Sequence, residues 1–186
     1  GGGTWTEIKT LTASADSDLS FVNGTSDVVL DSTYPIYCFR FINIHQSQTS
    51  FASLDVGFRD GGSAYDAVKT TSKLEVYHSE ADATAFAYSG GDDIAQGTGF
   101  QRLGLPGYNN DECMVGELWL FNPASTTFIK HFISRTNGYY TGNTSSWSEV
   151  VAGYCNTTTA IDGVQFKMSG GNIDTGKIKL FGIKDS

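Results

Sequence analysis

The sequence is short of charge, proline, methionine and cysteine. Charged residues make up 17% of its 186 positions, with 3 prolines, 3 cysteines and 2 methionines. So little charge, beside 22 glycines, excludes a long helical bundle, which needs strong helix formers and a solvated charged face. Basic runs are missing. The densest lysines, Lys177, Lys179 and Lys184, alternate with apolar residues, and the net charge is -8. A surface that tracks phosphates is therefore not expected, and no nucleic acid is expected as a partner. No apolar run approaches the length of a membrane-spanning helix, so no membrane partner is expected. The opening Gly1-Gly2-Gly3-Thr4-Trp5 lacks the basic and apolar regions of a signal peptide. Heptad and longer repeats are also missing, which argues against a coiled-coil or fibrous shaft.

What is present is aromatic and polar without charge. Aromatic residues reach 13%, too many for a disordered chain. Ser, Thr, Asn and Gly supply the polarity, which suits many strands joined by polar turns. Alternation with period 2 marks the strands. It is seen at Trp5–Lys9, Leu19–Phe21, Leu54–Phe58, Leu74–Tyr77, Ala85–Tyr88, Val115–Leu120, Phe128–Ile133 and Val150–Cys155. The clearest strand runs from Tyr34 to Ile44. Ile36, Cys38, Arg40, Ile42 and Ile44 fall on one face, and Tyr37, Phe39 and Phe41 on the other. Both faces are bulky, so this strand is expected between layers or at a subunit contact, with Arg40 paired to a carboxylate or reaching an edge. Val164–Met168 and Lys177–Phe181, separated by Gly170-Gly171-Asn172, read as a C-terminal hairpin. Residues 90–111 read as a long middle loop anchored by Phe100, Leu103 and Leu105. Tyr139-Tyr140 reads as the start of a polar loop through Trp147. About ten strands and no amphipathic helix give an all-β chain: an antiparallel β-sandwich, jelly-roll-like, forming one domain over 1–186 with a short N-terminal arm.

The sequence offers little for catalysis. His45, His78 and His131 are far apart and fit no zinc motif. Asp60, Asp66, Asp92, Asp93, Asp111 and Glu112 could supply oxygen ligands to calcium, but without EF-hand spacing they read as solvated turn residues. Glu75 and Glu117 lie in strands without marking a glycosidase pair. No nucleophile elbow or phosphate loop occurs. No catalytic residue, cofactor or metal site is therefore assigned, and the chain is expected not to be an enzyme. Cys38, Cys113 and Cys155 are odd in number and far apart. Cys38, in its strand, is expected as a buried free thiol. Asn23, Asn143 and Asn156 sit in Asn-X-Ser/Thr triplets, which matter only in a secretory route. The remaining interaction candidates are Tyr108, Tyr139, Tyr140 and Trp147, aromatics in polar surroundings that could stack on sugars or anchor a protein contact.

Three stretches carry a family likeness. Leu54-Asp55-Val56-Gly57-Phe58-Arg59-Asp60-Gly61-Gly62-Ser63-Ala64-Tyr65-Asp66 is a strand, a glycine turn, then an aromatic and Asp. Gly116-Glu117-Leu118-Trp119-Leu120-Phe121-Asn122-Pro123 is a strand ending at Asn-Pro. Ser169–Lys184 has glycine turns and an alternating strand ending Phe181-Gly182-Ile183. In this order they resemble small β-sandwich structural proteins of tailed bacteriophage virions, although Phe181 stands where tyrosine is usual. The resemblance implies a virion location and a non-enzymatic structural role; a compact sandwich without a shaft suits decorating or cementing the capsid exterior. Capsid or other virion proteins would be its partners, and a homo-oligomer, such as a trimer, would be its state. The aromatic face of the Tyr34–Ile44 strand would drive that oligomer. The alternative is the receptor- or glycan-binding head of a tail or head fibre, with a host surface glycan as partner.

Overall fold

The structure, a computed structural model, describes residues 4–184; Gly1-Gly2-Gly3 of the expected N-terminal arm lie outside them. Among the described residues there are twelve strands. They are β1 (Trp5–Thr12), β2 (Leu19–Val22), β3 (Ile36–Gln46), β4 (Leu54–Arg59), β5 (Lys69–Ser79), β6 (Thr84–Tyr88), β7 (Gln101–Gly104), β8 (Met114–Phe121), β9 (Lys130–Tyr140), β10 (Ser145–Cys155), β11 (Gly163–Met168) and β12 (Ile173–Ile183). They form two antiparallel sheets packed together. The large sheet has the order β1-β12-β3-β8-β9-β10-β5-β6, the small one β2-β11-β4-β7. The protein is all-β, as its composition implies.

The core lies between the sheets. Phe21 (β2), Phe39 and Phe41 (β3) and Phe166 (β11) are buried and meet edge to face. Phe166 lies 5.3 Å from Phe39, 5.3 Å from Phe41 and 6.3 Å from Phe21. Edge-to-face rings of this kind add specific attraction to their apolar burial. Tyr37, Phe39 and Phe41 are thus already buried within the chain. They cannot drive association between copies, and any such contact has to use another surface.

Several local expectations need correction. Ile44 does not share a face with Cys38 and Arg40. The β3–β8 register shifts between Phe41 and Ile44, and Asn43 adopts a positive φ of 50°. This bulge returns Ile44 to the core. The facing strand β12 is irregular at the same level, where Gly176 (φ 116°) lets the Asn43 carbonyl come 2.5 Å from the place a Cβ would occupy. The C-terminal hairpin is also not formed. β11 pairs with β2 and β4 in the small sheet, whereas β12 pairs with β1 and β3 in the large one. The Gly170-Gly171 turn carries the chain between sheets.

Residues 90–111 contain β7, which closes the edge of the small sheet. Leu103 and Leu105 are buried there, and the Phe100 ring lies over Gly57, where a Cβ would come within 2.6 Å. Tyr139 to Trp147 is not a polar loop. β9 and β10 pair from Tyr140↔Ser145 to Lys130↔Cys155, and Trp147 lies within β10. Val28-Val29-Leu30 forms no strand, although Val28 and Leu30 are buried.

Candidate functional site

The four candidate aromatics do not converge. Tyr108 sits in the loop after β7, its backbone N–H donating to Thr141 Oγ1 at 3.3 Å. Tyr139 points to the outer side of the large sheet, beside Glu80, Asp111 and Glu112. Tyr140 and Trp147 point inward. Trp147 stacks on Tyr77 with centroids 4.9 Å apart and lies 4.9 Å from Tyr140, which meets Phe51 at 6.0 Å. These rings cap one end of the space between the sheets.

Beside that cap, the large sheet reverses the usual polarity. On the inner side of β5 and β10 lie Lys73 and Glu149, both buried, together with Glu75. Glu75 and Glu149 are directly opposite in register. Two such carboxylates repel unless cations lie between them. Lys73 Nζ bonds Glu75 and lies 2.7 Å from Glu149 Oε2 and 3.4 Å from Asp92 Oδ2. Arg102, from β7 of the small sheet, reaches across to Asp92 at 2.9 Å and Glu149 at 3.5 Å. The cluster is an ionic lock between sheets. Neither Glu149 oxygen has hydrogen-bond geometry with a partner, so Glu149 depends on charge contacts alone.

Asp55 (β4) lies near this lock. Burial pushes its carboxyl up to about 6, against the hydrogen bond from Ser53 and the charges of Arg102 and Lys167. Its folded value is above its unfolded one, so the folded state takes up the proton first. Stability contributed by this group rises as pH falls from about 6 toward 4. Asp55→Asn is expected to stabilise the fold at neutral pH by on the order of 2 kcal/mol and to abolish that rise. Urea midpoints measured at about pH 7 and about pH 5 check this, and unchanged pH slopes in the variant would refute it.

A second buried row crosses β9, β10 and β5, where Lys130, Cys155 and Lys69 are register partners. Lys69 Nζ donates to the Gly99 carbonyl at 2.7 Å. Lys130 Nζ donates to the carbonyls of Thr157 and Thr159 at 3.0 and 2.6 Å. Burial lowers the pKa of both lysines. Burial also pushes the Cys155 and Cys38 thiols up to about 12, so neither is a thiolate nucleophile at neutral pH. All three cysteines are free.

The outer side of the same quarter is apolar. Phe86 and Tyr88 on β6 are 72% and 56% exposed, and Val76, Leu74 and Val150 are exposed beside them. Register places them together, with Phe86 opposite Val76, Tyr88 opposite Leu74, and Leu74 opposite Val150. β6 is also an edge strand, with one side of its backbone unpaired in the sheet.

The other half of the outer face holds a groove of about 680 Å³ between β1, β12, β3, β8 and β9. Glu117 is at its centre. Its carboxylate accepts from Arg135 Nη2 at 2.6 Å and lies 3.6 Å from Arg40 Nε. Burial raises its pKa, but the neighbouring Trp119 and Arg135 donors and both arginine charges outweigh that and hold it below the ordinary range. The expected partner of Arg40 is thus Glu117. Trp5 meets Trp119 and Phe181 edge to face at 5.4 and 5.6 Å, with the Arg40 guanidinium 5.3 Å from its ring. The alternation around Arg40 and Glu117 was visible in sequence, but not that β3 and β8 would place the two directly opposite each other.

Among the described residues, no group of three or more His, Cys, Asp or Glu is placed to hold a metal ion, and no helix is long and apolar enough to cross a membrane. No family model, curated protein or solved structure matches the chain.

Proposed function

We propose that this protein is a non-enzymatic structural component of a tailed-phage virion, a jelly-roll-like β-sandwich that decorates or cements the capsid exterior. The motif resemblance at Leu54–Asp66, Gly116–Pro123 and Ser169–Lys184 supports the virion context. The structural observation that supports docking is the reversed quarter of the large sheet. Leu74, Val76, Phe86, Tyr88 and Val150 form an exposed apolar face, while lysine and glutamate are turned inward behind it. An apolar patch of this kind, bordered by an unpaired strand edge, suits a protein partner. The partner is a capsid protein, or a second copy where the protein acts as an oligomer.

Phage particles lacking the protein provide the test. Added wild-type protein is expected to co-sediment with them, and Phe86→Asp is expected to weaken that attachment about tenfold or more, as for an interface anchor. Circular dichroism should show the variant folded, since Phe86 lies on an exposed edge. Wild-type protein that stays in the supernatant would overturn the docking role.

A further inference from the structure

We propose that the groove centred on Glu117 binds an acidic oligosaccharide, one built from uronic-acid residues. The proposal stands on residues separate from the apolar face of β5, β6 and β10 and does not depend on the virion reading.

The groove is a constructed site. Four neighbouring strands contribute one row across the sheet, with Arg135 opposite Glu117, Glu117 opposite Arg40, and Arg40 opposite Lys179. Glu117 acts as the positioning residue. It draws the two guanidinium groups toward one carboxylate. Each guanidinium has five N–H donors, and Glu117 engages a minority of them. The Arg40 and Arg135 side chains are 47% and 68% exposed, so their other donors are open to solvent and to a ligand. Carboxylates are the matching acceptors for such planar forks.

Charge supports an acidic ligand over a neutral one. Arg40, Arg135 and Lys179 line the groove with Glu117, and Glu7 bonds Lys179 at 3.1 Å from the rim. Three cations thus face two carboxylates in a chain whose net charge is -8. The aromatic side supports a sugar. Trp5 is 42% exposed at one end of the groove, braced edge-on by Trp119 and Phe181, and offers an apolar ring surface to a pyranose. The volume of about 680 Å³ is in the range of small-ligand sites. A nucleic acid would meet the same arginines, but its long polyanion would also extend over the acidic remainder of the surface.

The test is calorimetric titration, with tryptophan fluorescence in parallel, on the full chain. The probes are an alginate hexasaccharide, a dextran hexasaccharide and a thymidine decanucleotide. Alginate is expected to bind and to change the tryptophan emission, and dextran to bind much more weakly. Arg135→Gln and Trp5→Ala are each expected to weaken alginate binding about tenfold or more, whereas Phe86→Asp leaves it unchanged. Both groove residues are exposed, so the variants are expected to fold, and circular dichroism verifies it. Absence of alginate binding would overturn the proposal. So would alginate binding that is insensitive to Arg135→Gln and Trp5→Ala, or equal binding of dextran. Tighter binding of the oligonucleotide with the same variant sensitivity would replace the saccharide with a single-stranded nucleic acid.

Discussion

Lys73→Met is expected to destabilise the protein by about 3–5 kcal/mol, the cost of removing one partner from a buried ion pair. Lys73 is fully buried and bridges Glu75, Glu149 and Asp92. Methionine occupies a comparable volume, so packing changes little and the loss is electrostatic. Arg102 would then be the cation left in the lock, facing three carboxylates. Glu149 would suffer most, because neither of its oxygens has a hydrogen-bond partner to fall back on. The double variant Lys73→Met with Glu149→Leu is expected to recover a large part of the loss, since it removes the stranded charge together with its partner. Urea unfolding of the two single variants and the double variant gives the coupling directly. A single-variant cost below about 1 kcal/mol would show that water reaches the lock and screens it.

Phe166→Ala is expected to cost about 3–5 kcal/mol by a different route, the loss of apolar transfer energy plus an unfilled cavity. Phe166 projects from β11 of the small sheet into Phe21 of the same sheet and Phe39 and Phe41 of the large one. All four rings are buried. Alanine would remove three edge-to-face contacts, leaving Phe21 and Phe39 only each other and Phe41 without a ring partner, and fixed strands on both sides limit collapse. Phe166→Leu is expected to cost less than half as much, because it keeps most of the apolar volume. Thermal and chemical unfolding of both variants checks the order, and an alanine variant no worse than leucine would refute the packing argument. The two substitutions separate what binds the sheets at their middle from what binds them at one end.

Much of the fold was legible because strand alternation is a local signal. Leu54-Val56-Phe58 and Val164-Phe166-Met168 alternate without interruption, and they form β4 and β11 with these side chains buried. Alternation alone misplaces Ile44, because one bulge at Asn43 changes the parity of every later residue in its strand. The C-terminal hairpin failed for a different reason. A glycine turn permits the chain to reverse but does not decide whether the next strand pairs with its neighbour or crosses to the other sheet. Trp147 looks like a loop residue in the sequence because Ser145, Ser146 and Ser148 surround it, yet pairing with β5 and β9 holds that polar stretch extended.

The candidate sites were less legible still. Lys69, Lys73 and Lys130 look like solvated strand residues, and burial of a lysine is exceptional unless a partner comes from elsewhere in the chain. Those partners are far away in sequence: Gly99 for Lys69, Glu149 for Lys73, Thr157 and Thr159 for Lys130. The groove has the same origin, since Trp5, Arg40, Glu117, Arg135 and Lys179 come from five strands.

Scarce charge, abundant glycine and period-2 alternation by themselves determined an all-β chain with polar turns, because backbone pleating and turn geometry act on near neighbours. Only the tertiary structure decided which side of β5 and β10 faces inward, which sheet receives β12, and which charges meet across strands. Those outcomes depend on contacts between residues far apart along the chain. The energy of a buried charge or an exposed ring is set by what the fold places next to it.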